Sequence, residues 1–287
     1  MNDQAKKLRQ QFIKFRHDNN SKTIAIVSGK GGVGKSNFAV NFSIELLMQQ
    51  KSVLLFDLDV GMGNIDILLG LHARYTVVYM IENELSIEEI IEEGPCGLAY
   101  ISGGTALPSI FTMDQQNRKY FYEQYQLLLD RYDYIIFDMG AGVTSESMFF
   151  VLAADECIVI TTPEPTSITD AYGMIKHIVN NRQQMPIYIV MNRCHSKKNG
   201  EHSLTKFQHV ITSFLHVDTK RLGILPEDKI VSIAVTRQIP YVLLKEKASI
   251  SKALKEISQY YVNEMEEQQD ARPASFLQRL TNLLKEG

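Results

Sequence analysis

The chain has few of the residues that mark secreted, metal-binding or membrane-spanning proteins. Its 287 residues include no tryptophan and only three cysteines, Cys96, Cys157 and Cys194, with no Cys-x-x-Cys spacing. This usage is typical of a reduced, cytosolic protein and argues against a disulfide framework. No apolar run approaches the roughly 18 residues of a spanning helix, and no signal-peptide core is visible.

The chain also lacks a large excess of charge of either sign. Its formal net charge is −3, with 45% hydrophobic and 22% charged residues, which is ordinary for a soluble globular protein. No overall field therefore attracts nucleic acid or anionic lipid, and such contacts would have to come from local patches. The length allows one or two domains, and an α/β sheet of this size often forms one.

One glycine-rich stretch carries the clearest chemistry. Residues 29–36 satisfy the phosphate-binding loop pattern, with four free positions between a glycine and Gly-Lys-Ser. The apolar run before it predicts a buried strand and the run after it a helix, so amide groups and the helix dipole should converge on an anion. We expect Lys35 to contact the β- and γ-phosphates and the Ser36 hydroxyl to ligate Mg²⁺. The predicted nucleotide-binding residues of this stretch are Gly29, Lys30, Gly31, Gly32, Val33, Gly34, Lys35, Ser36 and Asn37.

Lys30 stands directly after the first glycine, where the loop geometry requires no lysine. The resulting string Lys-Gly-Gly-Val-Gly-Lys-Ser resembles the deviant P-loop of the MinD/ParA family of ATPases. The resemblance implies that the chain binds ATP with Mg²⁺, hydrolyses ATP and forms a homodimer when ATP is bound. It further implies that Lys30 reaches the partner subunit's phosphates, as an arginine finger would. A solvated lysine at a loop tip is the alternative.

Two predicted strands end in aspartates. Residues 52–56 are followed by Asp57-Leu58-Asp59, and residues 134–137 by Asp138 and a glycine-rich segment. Carboxylates at the carboxyl ends of parallel strands lie beside the nucleotide crevice. The two segments resemble the first and second switches of the family. This implies that Asp59 positions the attacking water, while Asp57 and Asp138 support the metal and the lysine without ligating the metal directly. A cap or turn role is the alternative for Asp57 and Asp59.

Two later apolar runs, 187–191 and 222–225, also predict strands. They are followed by Asn192-Arg193 and by a segment from Pro226 to Asp228. In the family these strand ends hold the adenine, and an amide can pair with its exocyclic amine and ring nitrogen. The resemblance therefore implies that Asn192 reads the base, with Arg193, Pro226 and Asp228 around it. A turn residue at a strand end is the alternative for Asn192.

Strands and helices alternate through the middle of the chain. Residues 98–102 and 156–161 predict further strands, residues 114–130 a long helix, and residues 71–97 an amphipathic helix with an acidic face. The alternation predicts an α/β fold, a mostly parallel twisted sheet with helices on both faces, as in MinD-like P-loop NTPases. We expect an ATPase domain over 22–265, an N-terminal segment over 1–21 and a C-terminal helix over 271–287.

The N-terminal segment has a helical apolar stripe among lysines and arginines. The pattern allows either a helix that caps the domain or one that binds a partner. The string Asp-Gln-Ala-Lys-Lys-Leu-Arg at 3–9 resembles the activator segment of the flagellar, FlhG-type branch of the family. This implies an FlhF-like signal-recognition-type GTPase as a partner and, more broadly, flagellar basal-body or switch proteins. The residues assigned to this contact are Asp3, Gln4, Ala5, Leu8 and Arg9.

The C-terminal segment carries a second apolar stripe with cations at its flanks. The stripe consists of Phe276, Leu277, Leu280, Leu283 and Leu284. It could dock on its own domain or on a dimer partner, or lie in a membrane interface. It resembles the membrane-targeting helix of MinD-like proteins, which implies a phospholipid surface as partner and location at the inner face of the cell membrane in the ATP state. Two such helices in a dimer would add avidity.

These features together predict a dimerising MinD-like ATPase that regulates flagellum placement or number. It would cycle between cytosolic monomer and membrane-associated dimer and stimulate the FlhF-like GTPase. A MinD-type division-site regulator and a ParA-type DNA-partitioning ATPase are the alternatives. The latter would need clustered arginines and lysines near its C-terminal helices, where this chain has an acidic run at 264–270, so nucleic acid is not expected. An iron–sulfur scaffold ATPase would need cysteine pairs at ligand spacing.

Overall fold

The computed structural model describes residues 21–59, 64–102, 115–129, 131–140, 142, 145–267 and 276–286. Its strands are β1 (Lys22–Val27), β2 (Val53–Leu58), β3 (Glu92–Glu93), β4 (Ala99–Ser102), β5 (Tyr134–Met139), β6 (Glu156–Thr161), β7 (Ile187–Cys194) and β8 (Lys220–Pro226). Its helices are α1 (Lys35–Met48), α2 (Asn64–Leu69), α3 (Val77–Glu82), α4 (Gln115–Leu129), α5 (Ser145–Ala153), α6 (Pro165–Asn181), α7 (Lys197–Leu215), α8 (Lys229–Arg237), α9 (Tyr241–Leu244), α10 (Ser249–Glu267) and α11 (Phe276–Glu286).

The described strands form one eight-stranded sheet in the order β3-β4-β2-β5-β1-β6-β7-β8. All neighbouring pairs are parallel except β3 with β4. The predicted α/β fold with a mostly parallel sheet is therefore confirmed. Strand β1 lies between two strands that come later in the chain, so the strand order reverses there and opens a crevice at its carboxyl end.

Helices cover both faces of the sheet because the central strands are apolar on both sides. Along β2, Leu54, Phe56 and Leu58 face one hydrophobic cluster and Val53 and Leu55 the other. The first cluster includes side chains from α4, α5, α6, α7 and α11. The second includes side chains from α1, α2, α8, α9 and α10. Complete burial of continuous apolar strands is what a parallel sheet requires.

The prediction of one amphipathic helix over 71–97 is wrong. The segment contains the short helix α3, a 3₁₀ turn at Ile87–Ile90 and strand β3. Ile87 and Ile90 are buried while the two glutamates between them are exposed, so the apolar-acidic alternation comes from a single turn. Ser86 and Glu89 close that turn with a capping box, a local bond that favours a new start over continuation of α3.

None of the described helices is both long enough and apolar enough to span a bilayer.

Candidate functional site

The loop between β1 and α1 depends on glycine at three places. Gly32 has φ 77° and Gly34 has φ 95°, both in the left-handed region that side chains disfavour. At Gly29 the constraint is contact, because an added Cβ would lie 2.1 Å from the carbonyl carbon of Asp170 in α6. The loop is thus held between the mouth of the sheet and the flank of α6, with α1 beginning directly at Lys35.

The loop lysine meets two carboxyls at the carboxyl ends of β2 and β5. The Nζ atom of Lys35 lies 2.6 Å from Oδ1 of Asp138, and both side chains are buried. Asp57 and Asp138 are register partners in neighbouring parallel strands. The structure therefore gathers Lys35, Asp57 and Asp138 at one point beneath the loop, with two carboxyls facing one buried ammonium.

The pKa values of both acids in this cluster are raised, so their protonated forms are favoured. Burial raises the pKa of Asp57 to about 7, with a further contribution from the charge of Asp138. The amides of Asp59 and Ile65 act in the opposite direction, and so does Lys35. Burial also raises the pKa of Asp138, opposed by the ion pair with Lys35 and by the Ser36 hydroxyl. A site with more carboxyls than cations favours an additional positive ion.

The residues around Asp138 fit a magnesium ion. Its Oδ2 atom is buried and has no hydrogen-bond partner among the described residues. The Ser36 hydroxyl lies 3.3 Å from Lys35 Nζ, in the first turn of α1. Within the described residues no group of three or more His, Cys, Asp or Glu side chains could cage a metal alone. Magnesium commonly uses few protein ligands and completes its shell with waters and substrate phosphates. Ser36 would therefore ligate it directly, and Asp138 and Asp57 would hold its bound waters.

The two predicted switch segments touch beside this cluster. The amide of Asp59 donates to Asp57 Oδ1 at 3.0 Å. An added Cβ at Gly140 would lie 3.3 Å from Asp59 Oδ1, so the second segment passes close to the predicted water-orienting carboxylate. The amide of Gly142 donates to the carbonyl of Ser28 at the start of the loop. Residues 60–63, 141, 143 and 144 lie outside the described residues.

Lys30 lies at the tip of the loop and contacts the start of α6. Its side chain is 43% exposed, with Nζ 3.2 Å from Thr166 Oγ1 and 3.7 Å from Glu164 Oε2. Exposed pairs of this kind contribute about 0–1 kcal/mol, so the lysine can leave them at little cost. The contact between Lys30 and Glu164 was not predicted from the sequence. Glu164 follows β6 closely, and the carboxyl ends of parallel strands lie at the same sheet edge as the loop, so the sequence could have indicated it.

The two segments predicted to hold adenine are neighbours in the structure. Cys194 and Pro226 pair in the register of β7 with β8, and Arg193, the residue before Cys194, is exposed. Asp228 Oδ1 accepts the Ile230 amide at 3.0 Å and so caps α8, while its Oδ2 accepts from Ser249 at 2.7 Å. Asn192 is 7% exposed and donates to the carbonyl of Val33 in the phosphate-binding loop.

The C-terminal helix α11 is docked against α5. Phe276 and Leu280 are buried, and the Phe276 ring lies 4.9 Å from the ring of Tyr125 and 5.2 Å from that of Phe137. Arg279 Nη2 is 2.6 Å from Asp155 Oδ1. Leu277 and Leu283 pack partly buried on the same cluster, while the Leu284 side chain is outside the described residues. Of the two arrangements left open by the sequence, this is the docked one.

Asp155 was missed by sequence reasoning because it precedes a strand, at the end of the sheet opposite the loop. The predicted partner-binding residues lie outside the described residues: Asp3, Gln4, Ala5, Leu8 and Arg9.

Comparison with known proteins assigns the family. A family model described as ParA, "NUBPL iron-transfer P-loop NTPase", matches residues 19–262. The chain is 30% identical to the antiactivator FleN of Pseudomonas aeruginosa over 236 residues, which cover 82% of this chain and 84% of FleN. The chain belongs to the ParA/MinD family of P-loop NTPases. As a member of that family it is an ATPase.

Two further relatives agree with the assignment. The flagellum site-determining protein YlxH of Helicobacter pylori is 34% identical over 198 residues, which cover 65% of this chain and 63% of YlxH. The septum site-determining protein MinD complexed with Mg-ADP, from Pyrococcus horikoshii OT3, superposes with a TM-score of 0.68. It is 23% identical and covers 88% of this chain and 100% of its own, and it shows the same fold.

Proposed function

We propose that this ATPase regulates flagellum placement or number by cycling between a cytosolic monomer and a dimer at the inner face of the membrane. The flagellar role is supported by the similarity to FleN, an antiactivator, and to YlxH, a flagellum site-determining protein. The membrane cycle is supported by one observation above the others. The amphipathic helix α11 is held against α5, the helix that directly follows the second switch segment.

ATP with Mg²⁺ is the proposed ligand of the loop. In this proposal Lys35 binds the phosphates and Ser36 would ligate the metal, with Asp57 and Asp138 supporting it without direct ligation. Asp59 orients the attacking water. The relative from Pyrococcus horikoshii is described with Mg-ADP, which agrees with this choice. Lys30 leaves Glu164 and Thr166 and reaches the phosphates of a second copy, so that two protomers close face to face.

Two series of contacts connect helix α11 to the nucleotide site. Phe276 packs on Phe137, whose chain neighbour Asp138 holds Lys35. Helix α11 also packs along α5, and Arg279 Nε donates to the carbonyl of Ala153 at the end of that helix. A shift of the second switch when the γ-phosphate is present would therefore move both surfaces on which the tail rests. Segments that reorder around the γ-phosphate are a common form of such switching.

The energetic balance of the tail permits release. Exposing buried side chains such as Phe276 and Leu280 to water costs about 1.5–3 kcal/mol each. A membrane interface recovers much of that by burying the same stripe, with Arg279 freed to approach anionic headgroups. The tail thus has two competing sites, and a dimer adds the avidity of a second helix.

The N-terminal segment is proposed to stimulate an FlhF-like GTPase. Ser21, the last residue of this segment, is bonded to the domain: its hydroxyl donates to the carbonyl of Leu129 at 2.8 Å and to that of Tyr132. This part of the proposal rests on the sequence alone, at Asp3, Gln4, Ala5, Leu8 and Arg9. Flagellar basal-body or switch proteins would be further partners.

Liposome sedimentation tests the proposal. Vesicles with anionic lipid are mixed with the intact chain, or with a chain ending at residue 270, in ATP, ADP or no nucleotide. We expect the intact chain to pellet more in ATP than in ADP, and the shortened chain to pellet in neither. Leu280→Glu should abolish pelleting, whereas Gln278→Ala, on the exposed side of α11, should preserve it. Equal pelleting of the intact chain in ATP and ADP would refute the membrane cycle.

A further inference from the structure

Helix α11 lies in a groove lined by aromatic side chains of three other elements. The Phe276 ring lies 4.9 Å from the ring of Tyr125 in α4 and 5.2 Å from that of Phe137 in β5. The ring of Phe150 in α5 lies 6.2 Å from it. Leu280, one turn further along the tail, is buried against the same cluster. Such a groove binds an amphipathic helix through apolar anchors at helical spacing, a pattern that more than one segment can carry.

The tail leaves one polar atom of the groove unpaired. The Tyr125 hydroxyl is buried and has no hydrogen-bond partner among the described residues. A buried tyrosine hydroxyl usually has a partner, because its loss of water is otherwise uncompensated. The ring that carries this hydroxyl contacts Phe276 directly. The groove therefore offers a hydrogen bond to an occupant that has a polar side chain beside its apolar stripe.

The N-terminal segment joins the domain at the edge of this groove. Its residues 1–20 lie outside the described residues, and Ser21 donates to the carbonyl of Leu129 at the end of α4. Leu129 is one helical turn, about 6 Å along the axis, from Tyr125. The five residues between Phe15 and Ser21 can span up to about 17 Å. The apolar stripe of the segment can therefore reach the groove.

The two terminal stripes have the same spacing. Leu8, Phe12 and Phe15 are separated by four and then by three positions. The same intervals separate the tail residues that pack on the domain, which are Phe276, Leu280 and Leu283. Side chains at these intervals lie on one face of a helix. The N-terminal segment can thus present anchors to the groove in the arrangement that the tail uses.

The acid beside the groove suits either segment. Asp155 Oδ1 pairs with Arg279 of the tail at 2.6 Å, and Asp155 Oδ2 accepts from the amide and hydroxyl of Thr23, two residues after Ser21. Residues 1–20 contain five lysines and arginines against two aspartates. A cation of that segment could take the place of Arg279 on Asp155, since both would form a charge-assisted hydrogen bond there.

We propose that the groove of α11 also binds the N-terminal segment of the same chain, so that the two termini occupy it in turn. The inference rests on the proposed release of the tail. While the tail is docked, the N-terminal segment is available to a partner, and once the tail has left, the groove takes up this segment. Conversely, a partner that holds the N-terminal segment removes the competitor of the tail and favours the docked form, because such coupling is reciprocal.

Hydrogen exchange of the full chain, measured by mass spectrometry without nucleotide or lipid, tests the proposal. Leu280→Glu places a charge at a buried position of the tail and displaces it. Asn282→Glu is its matched control, because it adds the same charge at an exposed position of the same helix. Phe12→Glu breaks the N-terminal stripe, and Gln10→Glu adds the same charge on the opposite side of a helix with this spacing. Thermal unfolding confirms that each protein is folded.

We expect residues 5–16 to exchange about tenfold more slowly in Leu280→Glu than in the unaltered chain, which corresponds to a segment docked about nine tenths of the time. Adding Phe12→Glu should remove this protection, whereas adding Gln10→Glu should keep it. Asn282→Glu should leave both termini unchanged. A second measurement keeps the tail sequence intact. Phe12→Glu alone should slow exchange in α11, by up to the same factor, because the tail loses its competitor.

The outcomes distinguish this inference from the proposed release of the tail. Faster hydrogen exchange of α11 in Leu280→Glu, with unchanged exchange of residues 5–16, would overturn the alternation of the two termini and leave tail release standing. Unchanged exchange of α11 in folded Leu280→Glu would mean that the groove does not hold the tail as described, and both proposals would fall. Equal protection of residues 5–16 with Phe12→Glu and with Gln10→Glu would also overturn the inference, because the stripe would not be the anchor.

Discussion

The acidic side chains at the two ends of the sheet differ in how completely they are paired. At the carboxyl end, Asp57 and Asp138 share a single buried lysine, and Asp138 Oδ2 has no hydrogen-bond partner among the described residues. At the amino end, Asp155 Oδ2 accepts both the amide and the hydroxyl of Thr23, at 2.8 and 2.7 Å, while Oδ1 pairs with Arg279. Glu156 beside it pairs with Lys22 at 2.8 Å.

The difference separates a binding site from an anchoring site. Buried acids that outnumber their cations and leave a carboxylate oxygen without a hydrogen-bond partner are typical of places that bind a charged ligand. At the other end, each oxygen of the partly buried Asp155 is bonded, and this acid holds together the start of β1, the end of α5 and the tail helix. At this amino end Asp155 can also lose its cation, because Arg279 belongs to α11, the helix proposed to leave the domain.

The largest expected effect is on ATP turnover and concerns the carboxyl end of the sheet, where the nucleotide is proposed to bind. Lys30→Ala should abolish ATP-dependent dimerisation and reduce ATP turnover by roughly 10³–10⁵, because a cationic finger stabilises the charge of the transition state. The monomer should remain folded, since the contacts that the Lys30 side chain makes within the described residues are exposed. Turnover assays and thermal unfolding measure the two parts. Lys198→Ala, at an exposed lysine in the first turn of α7, should leave turnover unchanged. Normal turnover of the Lys30 variant would refute the assignment.

A smaller effect, on membrane binding, is expected at the amino end of the sheet. Asp155→Asn leaves the tail sequence intact, but its single carbonyl oxygen cannot accept from both Thr23 and Arg279. With that oxygen kept on the Thr23 donors, the bond to Arg279 is lost, a weakening of the tail contact by about 1 kcal/mol. Tail release should become easier, so sedimentation with liposomes in ADP should rise about fivefold. Glu88→Gln, which breaks the pair between exposed Glu88 and Arg131, is the control and should have no effect. If the Asp155 variant pellets in ADP no more than the unaltered chain, the tail is not held by this bond.

A third prediction concerns stability, which should depend on pH. Burial raises the pKa of Asp57 from 3.8 to about 7, so between these values the folded state binds the proton more tightly than the unfolded state. The free energy of unfolding should therefore fall as pH rises across this interval, by up to about 1.4 kcal/mol per pH unit. Urea unfolding between pH 5 and 8 measures the slope, and Asp57→Asn should flatten it. Equal slopes for the two proteins would contradict the assignment.

The parts of the fold that follow from local sequence were predictable. The glycine loop, the strand before it and the aspartates at strand ends are each specified within a few residues by turn geometry and continuous apolar runs. The 71–97 segment was not, because one buried turn with two isoleucines has the same alternation as the start of a helix. Its identity is decided by the capping box at Ser86 and by packing against α4.

Contacts between distant segments could not be predicted from the sequence. The stripe from Phe276 to Leu283 suits a protein groove and a lipid surface equally well, since both offer an apolar plane beside polar groups. Only the structure shows Asp155 opposite Arg279. Likewise the amide of Asn192 suits a base or a backbone carbonyl, and its bond to Val33 depends on the register in which β7 and the loop meet.

The most direct test of the account is the mass of the particle in solution with each nucleotide. Light scattering should report one chain of 32.6 kDa with ADP or without nucleotide, and about twice that mass with Mg²⁺ and a non-hydrolysable ATP analogue. The Lys30→Ala chain should remain a monomer throughout. An unaltered chain whose mass is the same in every nucleotide would contradict the claim that ATP closes two copies upon each other.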